Sequence, residues 1–89
     1  MKAVITVIGH DKVGIIARVS ALLSESNVNI LDITQTIMQD IFTMIMLVNL
    51  QNATVSLAEL VETANALGEE IGVKIILQHE EIFNAMYRV

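Results

Sequence analysis

The sequence predicts an α+β sandwich, a four-stranded antiparallel sheet with two helices on one face and a short C-terminal helix. Three observations carry that expectation. Four segments alternate in the manner of strands, two longer segments repeat apolar residues at helical spacing, and they follow the order strand, helix, strand, strand, helix, strand. Strand–helix–strand crossovers are right-handed and the middle two strands are adjacent enough to form a hairpin. Few topologies then remain besides the ferredoxin-like βαββαβ arrangement.

Residues 2–8 read as the first strand, with Ala3, Ile5 and Val7 on one side and Val4, Thr6 and Ile8 on the other. The polar, glycine-containing stretch 9–14 breaks it. From 13 to about 26, Ile15, Val19, Leu22 and Leu23 recur at helical spacing, with Asp11 placed to cap the start and Asn27 to end the run. Residues 28–38 and 41–50 are the next two strands, joined by Gln39-Asp40. On them Leu31, Ile33 and Ile37, then Phe42, Met44, Met46, Val48 and Leu50, are expected to form one apolar core face. Met44 and Met46 there read as adaptable core filling. The opposite face mixes Asp32, Thr34, Thr36, Thr43 and Asn49 with Ile45 and Leu47.

The second helix is expected over 54–71. Ser56 and Glu59 form a capping box, Leu57, Leu60, Val61, Ala64, Leu67 and Ile71 share a stripe, and Gly72 closes it. Residues 73–79 alternate again as a fourth strand. Residues 80–89 read as a terminal helix carrying Ile82, Phe83 and Met86, with Glu80 and Glu81 favourable in its first turn. One domain of 89 residues, core 1–79 plus helix 80–89, is the expected organisation.

Composition narrows the function classes. A chain this short has little room for both a core and a deep enclosed cavity, which disfavours a self-sufficient enzyme. With no cysteine there is no disulfide, thiolate nucleophile or cysteine metal site, and the reducing cytoplasm is the expected compartment. The N-terminal segment alternates and then meets a polar break, so neither a signal core nor a spanning helix is expected. A net charge of −5 with scattered Lys2, Lys12, Arg18, Lys74 and Arg88 disfavours nucleic acid and membrane surfaces as direct partners. A mean hydropathy of +0.64 with only 17% charged residues implies that apolar surface is covered by a partner.

The run Val7-Ile8-Gly9-His10-Asp11-Lys12-Val13-Gly14-Ile15-Ile16-Ala17-Arg18-Val19, followed by Asn27-Val28-Asn29-Ile30, resembles the ACT domain, a small regulatory module that binds amino acids. The similarity extends over nearly the whole chain, and the departure is Val13, where many members have proline before the glycine. A free-standing ACT domain with a terminal helix also looks like the small bacterial proteins related to the glycine-cleavage repressor. The resemblance implies a homodimer, often with strands or helices paired side by side. It implies a ligand held between the first turn of one subunit and the second strand of the other, and no catalysis or cofactor.

The residues themselves fit an amino-acid ligand. The helix following Gly14 offers backbone N–H groups and partial positive charge to a carboxylate, Asp11 can meet an ammonium, and Asn29 beside Ile30 can bridge either group. His10 and Lys12 flank the same turn. Each has a structural alternative: Asp11 as cap, Gly14 as a close-packing residue, Asn29 as a turn residue, His10 as a solvated loop residue. His79 with Glu80 and Glu81 does not make a metal site, because sequence neighbours on a strand point apart. Ser20, Ser24 and Ser26 have no histidine at a usable position for a hydrolytic triad.

A rival reading is a ligand-free interaction module that docks onto an enzyme or regulator through the half-polar sheet face and Ile82, Phe83 and Met86. An RNA-binding module of the same order stacks bases on aromatic residues of its central strands, and here only Phe42 is available. An acylphosphatase-like enzyme wants an arginine in its first loop, where this chain has Asp11 and Lys12.

Overall fold

The computed structural model describes residues 1–10 and 14–86. Its elements are β1 (Lys2–His10), α1 (Ile15–Glu25), β2 (Asn29–Met38), β3 (Ile41–Asn49), α2 (Leu57–Ile71), β4 (Lys74–His79) and α3 (Glu80–Met86). The strands form one antiparallel sheet in the order β2-β3-β1-β4, the ferredoxin-like arrangement that the element order predicts.

The core lies between α1, α2 and one face of the two central strands. Ala3, Ile5 and Val7 of β1 and Phe42, Met44, Met46 and Val48 of β3 are buried there against Ile15, Val19, Leu23, Leu60 and Ala64. Strand β1 continues two residues past its expected end, since Gly9 and His10 still pair with Phe42 and Ile41. Gly9 faces Val73 so closely that a Cβ would stand 2.7 Å from its Cγ1.

Local chemistry sets the helix ends. At the C-terminus of α1, Asn27 adopts φ 55°, its N–H bonds to the Ser24 carbonyl and the Val28 N–H to that of Leu23, a Schellman closure with asparagine in place of glycine. At the start of α2, Ser56 Oγ accepts the Glu59 N–H at 3.1 Å, and Gly72 at φ 74° ends the helix. The N-cap position of α1 belongs to Gly14 rather than to Asp11, and among the described residues no side chain caps it. Gly14 is also not a close-packing residue: a Cβ there would meet nothing within 4 Å, so its left-handed φ of 90° is what calls for glycine.

The expected apolar face of β2 needs correction. A bulge between Ile30 and Asp32 makes Leu31 the extra residue, which shifts the alternation by one position. Ile33 and Ile37 do lie on the helix side, opposite Met46 and Phe42, yet they remain 40% and 58% exposed, and Leu31 43%. The cause is position: β2 is an edge strand, and every one of its residues except Ile30 is exposed.

On the other sheet face, α3 packs against β1 and β4 and not against α1 or α2. Val4, which points to that face, is buried. The rest of the face, with Ile8, Ile41 and Ile45 among threonines, stays open.

Candidate functional site

His10 ends β1 and Gly14 precedes α1, so both border the first turn. Asp11 and Lys12, the other turn residues singled out from the sequence, lie outside the described residues. Among the described residues no acidic side chain stands in the first turn of α1 and no side-chain hydrogen bond caps it, and a helix start is a place where backbone N–H groups and partial positive charge suit an anion. His10 Nδ1 stands 3.4 Å from Asp40 Oδ2 of the β2–β3 turn, with both side chains exposed.

Asn29 and Ile30 stand elsewhere. Asn29 pairs with Asn49, which pairs with Lys2, whereas His10 pairs with Ile41, which pairs with Met38. Asn29 and Met38 are the two ends of β2, about 30 Å apart at strand rise. Within one chain, therefore, the two halves of the expected site sit at opposite ends of the sheet.

At the Asn29 end a groove of ≈ 560 Å³ opens between the last turns of α1, the start of β2 and the segment after β3. Its walls are mainly amides and hydroxyls: Asn27, Asn29, Asn49, Gln51 and Asn52 with Ser20 and Ser24. Asn27 Nδ2 donates to the Asn52 carbonyl at 2.8 Å, and Asn49 Oδ1 accepts the Gln51 N–H at 2.9 Å. Thr54 N–H adds a bond to the Ser26 carbonyl, which ties the segment after β3 to the end of α1. Sequence reasoning missed Asn27, Asn49, Gln51 and Asn52 as a cluster. The signal was there as three amides in the four residues 49–52, but only the pairing of β2 with β3 joins them to 27 and 29.

Arg18, part of the turn-helix motif, is taken up elsewhere. It pairs with Glu70 of α2, at the rim of a groove between the two helices whose floor includes Ala21, Leu22, Ala66 and Leu67. His79 Nδ1 accepts the Glu81 N–H at 3.1 Å at the start of α3. Among the described residues no group of three His, Asp or Glu side chains is placed to hold a metal ion, and no helix is long and apolar enough to cross a membrane. Of the residues read as an interface, Ile82 is exposed and Phe83 half-buried, while the Met86 side chain lies outside the described set.

The βαββαβ sandwich, with its first turn ending at Gly14, has the form of a small ferredoxin-like module. The family model of the ACT domain matches residues 2–78. A UPF0237 protein of Clostridium acetobutylicum is 56% identical over the whole of both chains. An ACT domain protein solved from Streptococcus pneumoniae superposes with a TM-score of 0.82 at 42% identity, covering 98% of each chain. A solved structure assigned to a glycine cleavage system transcriptional repressor gives 0.72 at 28% identity, covering 86% of this chain and 44% of that one. The chain belongs to the ACT domain family, whose members are regulatory ligand-binding modules.

Proposed function

We propose that this protein is a cytoplasmic, non-catalytic amino-acid sensor that works as a homodimer. One observation carries the reading: the residues that suit an amino acid occupy opposite ends of β2, and β2 is an exposed edge strand with free apolar side chains. Two copies paired antiparallel along β2 bring Asn29 of one protomer to the end of the sheet where the other's first turn lies. The pairing also removes Leu31, Ile33 and Ile37 from water, and the strand offers only Asp32 as a charge to repel its copy.

In this arrangement the N–H groups after Gly14, with Asp11, His10 and Lys12, hold the ligand's carboxylate and ammonium. Asn29 and Ile30 close the site from the partner strand. Ile82, Phe83 and Met86 on the terminal helix then serve a further protein partner that reads the bound state.

The test is a thermal-shift screen of the purified protein against the twenty amino acids, with the solution mass taken on the same sample. A dimer mass is expected, together with a higher melting temperature for one or a few amino acids. Asn29→Ala should abolish that shift and leave the dimer intact. A monomer at all concentrations overturns the assembly. A dimer that no amino acid stabilises favours the ligand-free interaction module, for which the exposed Ile8, Ile41, Ile45 and Ile82 speak.

A further inference from the structure

The free edge of β2 is not uniform along its length. Leu50 N–H bonds to the Met1 carbonyl, so Phe42, Met44 and Met46, which follow the same alternation on β3, turn their backbone groups toward β1. Ile37, Gln35 and Ile33 stand opposite them on β2 and therefore turn their N–H and carbonyl groups to the open edge. The Ile33 N–H is already taken, by Asp32 Oδ1 at 2.9 Å. Next to it the bulge at Leu31 bends the strand away from a straight neighbour. A charged cap and a bulge thus close the half of the edge before Thr34, whereas among the described residues no side chain caps the N–H of Gln35 or Ile37.

Exposed apolar surface follows the same division. Met38 is 70% exposed and Ile37 58%, against 43% for Leu31 and 40% for Ile33. Residues 34–38 hold no charged side chain, so two copies meet there without the repulsion that a net charge of −5 brings elsewhere. We propose that two copies pair through residues 34–38 alone, Gln35 of each opposite Ile37 of the other, and that Asp32 sets this register by withholding the Ile33 N–H. The inference rests on the homodimer reading above and narrows it. The two pairs engage the free edge groups of Gln35 and Ile37 and leave both Asp32 caps intact. Sliding one copy by two residues, so that Gln35 faces Gln35, would set Ile33 against Ile37 and break both caps. In the proposed register Thr36 meets its own copy across the two-fold axis as a non-hydrogen-bonded pair, and Met38 lies beside Thr34. Asn29 of each copy then extends past the other's Met38, toward the end of the sheet that bears the first turn.

Because the chain has no cysteine, single cysteines report the register without background. The experiment oxidises full-length Ile33→Cys, Thr34→Cys, Gln35→Cys and Thr36→Cys with oxidised glutathione, at a concentration where the solution mass is that of a dimer. All four positions are exposed, so the fold tolerates the changes. Thr36→Cys is expected to form covalent dimer about tenfold or more faster than the others, since its Cα atoms stand about 4.5 Å apart, within the roughly 4.4–6.8 Å that a disulfide spans, and the other pairs lie farther apart. Adding Asp32→Ala to Gln35→Cys frees the Ile33 N–H and should raise crosslinking at 35 by about tenfold, while Asp32→Asn, which keeps the acceptor, should not. Fastest crosslinking at 33, 34 or 35 in the otherwise unchanged chain, or no response to Asp32→Ala, overturns the register and leaves the homodimer standing. A monomer mass, or a dimer that crosslinks at none of the four, overturns pairing along β2 and this inference with it.

Discussion

Strands β2 and β3 pair along their whole length and carry comparable apolar side chains, yet they meet opposite surroundings. Phe42 and Met46 of β3 are buried, while Ile37 and Ile33, directly opposite them on the same face of the sheet, are half open to water. One strand spacing, about 4.8 Å, separates the two conditions. Two helices cover the central strands and stop short of the edge, so Phe42 and Met46 are core on one strand while Ile37 and Ile33, opposite them, remain exposed on the next. Exposed apolar surface lies partly along this edge strand, in Leu31, Ile33, Ile37 and Met38, and partly on the open sheet face, in Ile8, Ile41 and Ile45.

Substitutions across this boundary sharpen the contrast. The largest effect is expected from Met46→Ala, a fully buried side chain whose loss leaves a cavity, at about 2–5 kcal/mol of destabilisation in denaturant unfolding. A loss below about 1 kcal/mol would mean that the central strands are not the core they appear to be from burial alone. Gly68→Ala comes next. A Cβ there would stand 2.7 Å from the Val73 carbonyl oxygen, a backbone atom, and the forced separation of α2 from β4 should cost about 1–3 kcal/mol despite alanine's better helix propensity. A stabilised Gly68→Ala protein would show the helix layer to be looser than this contact.

The edge strand should respond differently. Ile33→Ala is expected to cost about 0.5 kcal/mol or less in protein dilute enough to be monomeric, and to lower the midpoint further only as concentration rises. A loss of the Met46→Ala size in dilute protein would erase the distinction between the two strands. The smallest effect is expected at the turn that joins them. Gln39 turns the chain at φ 58°, where a side chain is strained, and glycine's greater unfolded-state freedom offsets part of the relief, so Gln39→Gly should raise stability by only about 0.3 kcal/mol, read as a higher unfolding midpoint.

Much of this fold was legible residue by residue. The 3.6-residue stripes of Ile15, Val19 and Leu23 and of Leu60 and Ala64, the Ser56 cap and the Gly72 stop are local signals, and each sits where its chemistry placed it. The first helix cap was misread because Asp11 is a better N-cap residue type than glycine, while the chain needed a left-handed turn at Gly14. On β2 the alternation placed Ile33 and Ile37 on the correct face, but it misplaced the bulged Leu31 and did not show that this face stays exposed.

The candidate site divides in the same way. The turn and the strand start carry recognisable residues, His10, Gly14 and Asn29, but no spacing rule says that they lie at opposite ends of a strand. The amide groove needed Asn29 to pair with Asn49, and Arg18 found Glu70 across 52 positions of sequence.

The sequence by itself determined the order of elements, the caps of the second helix and the apolar content of each element, because these depend on neighbours within a few residues. Tertiary structure decided which apolar strand is covered, where the bulge falls and which distant amides share a groove. Those outcomes depend on how far two helices extend over a sheet and on cross-strand register, quantities that no local segment contains.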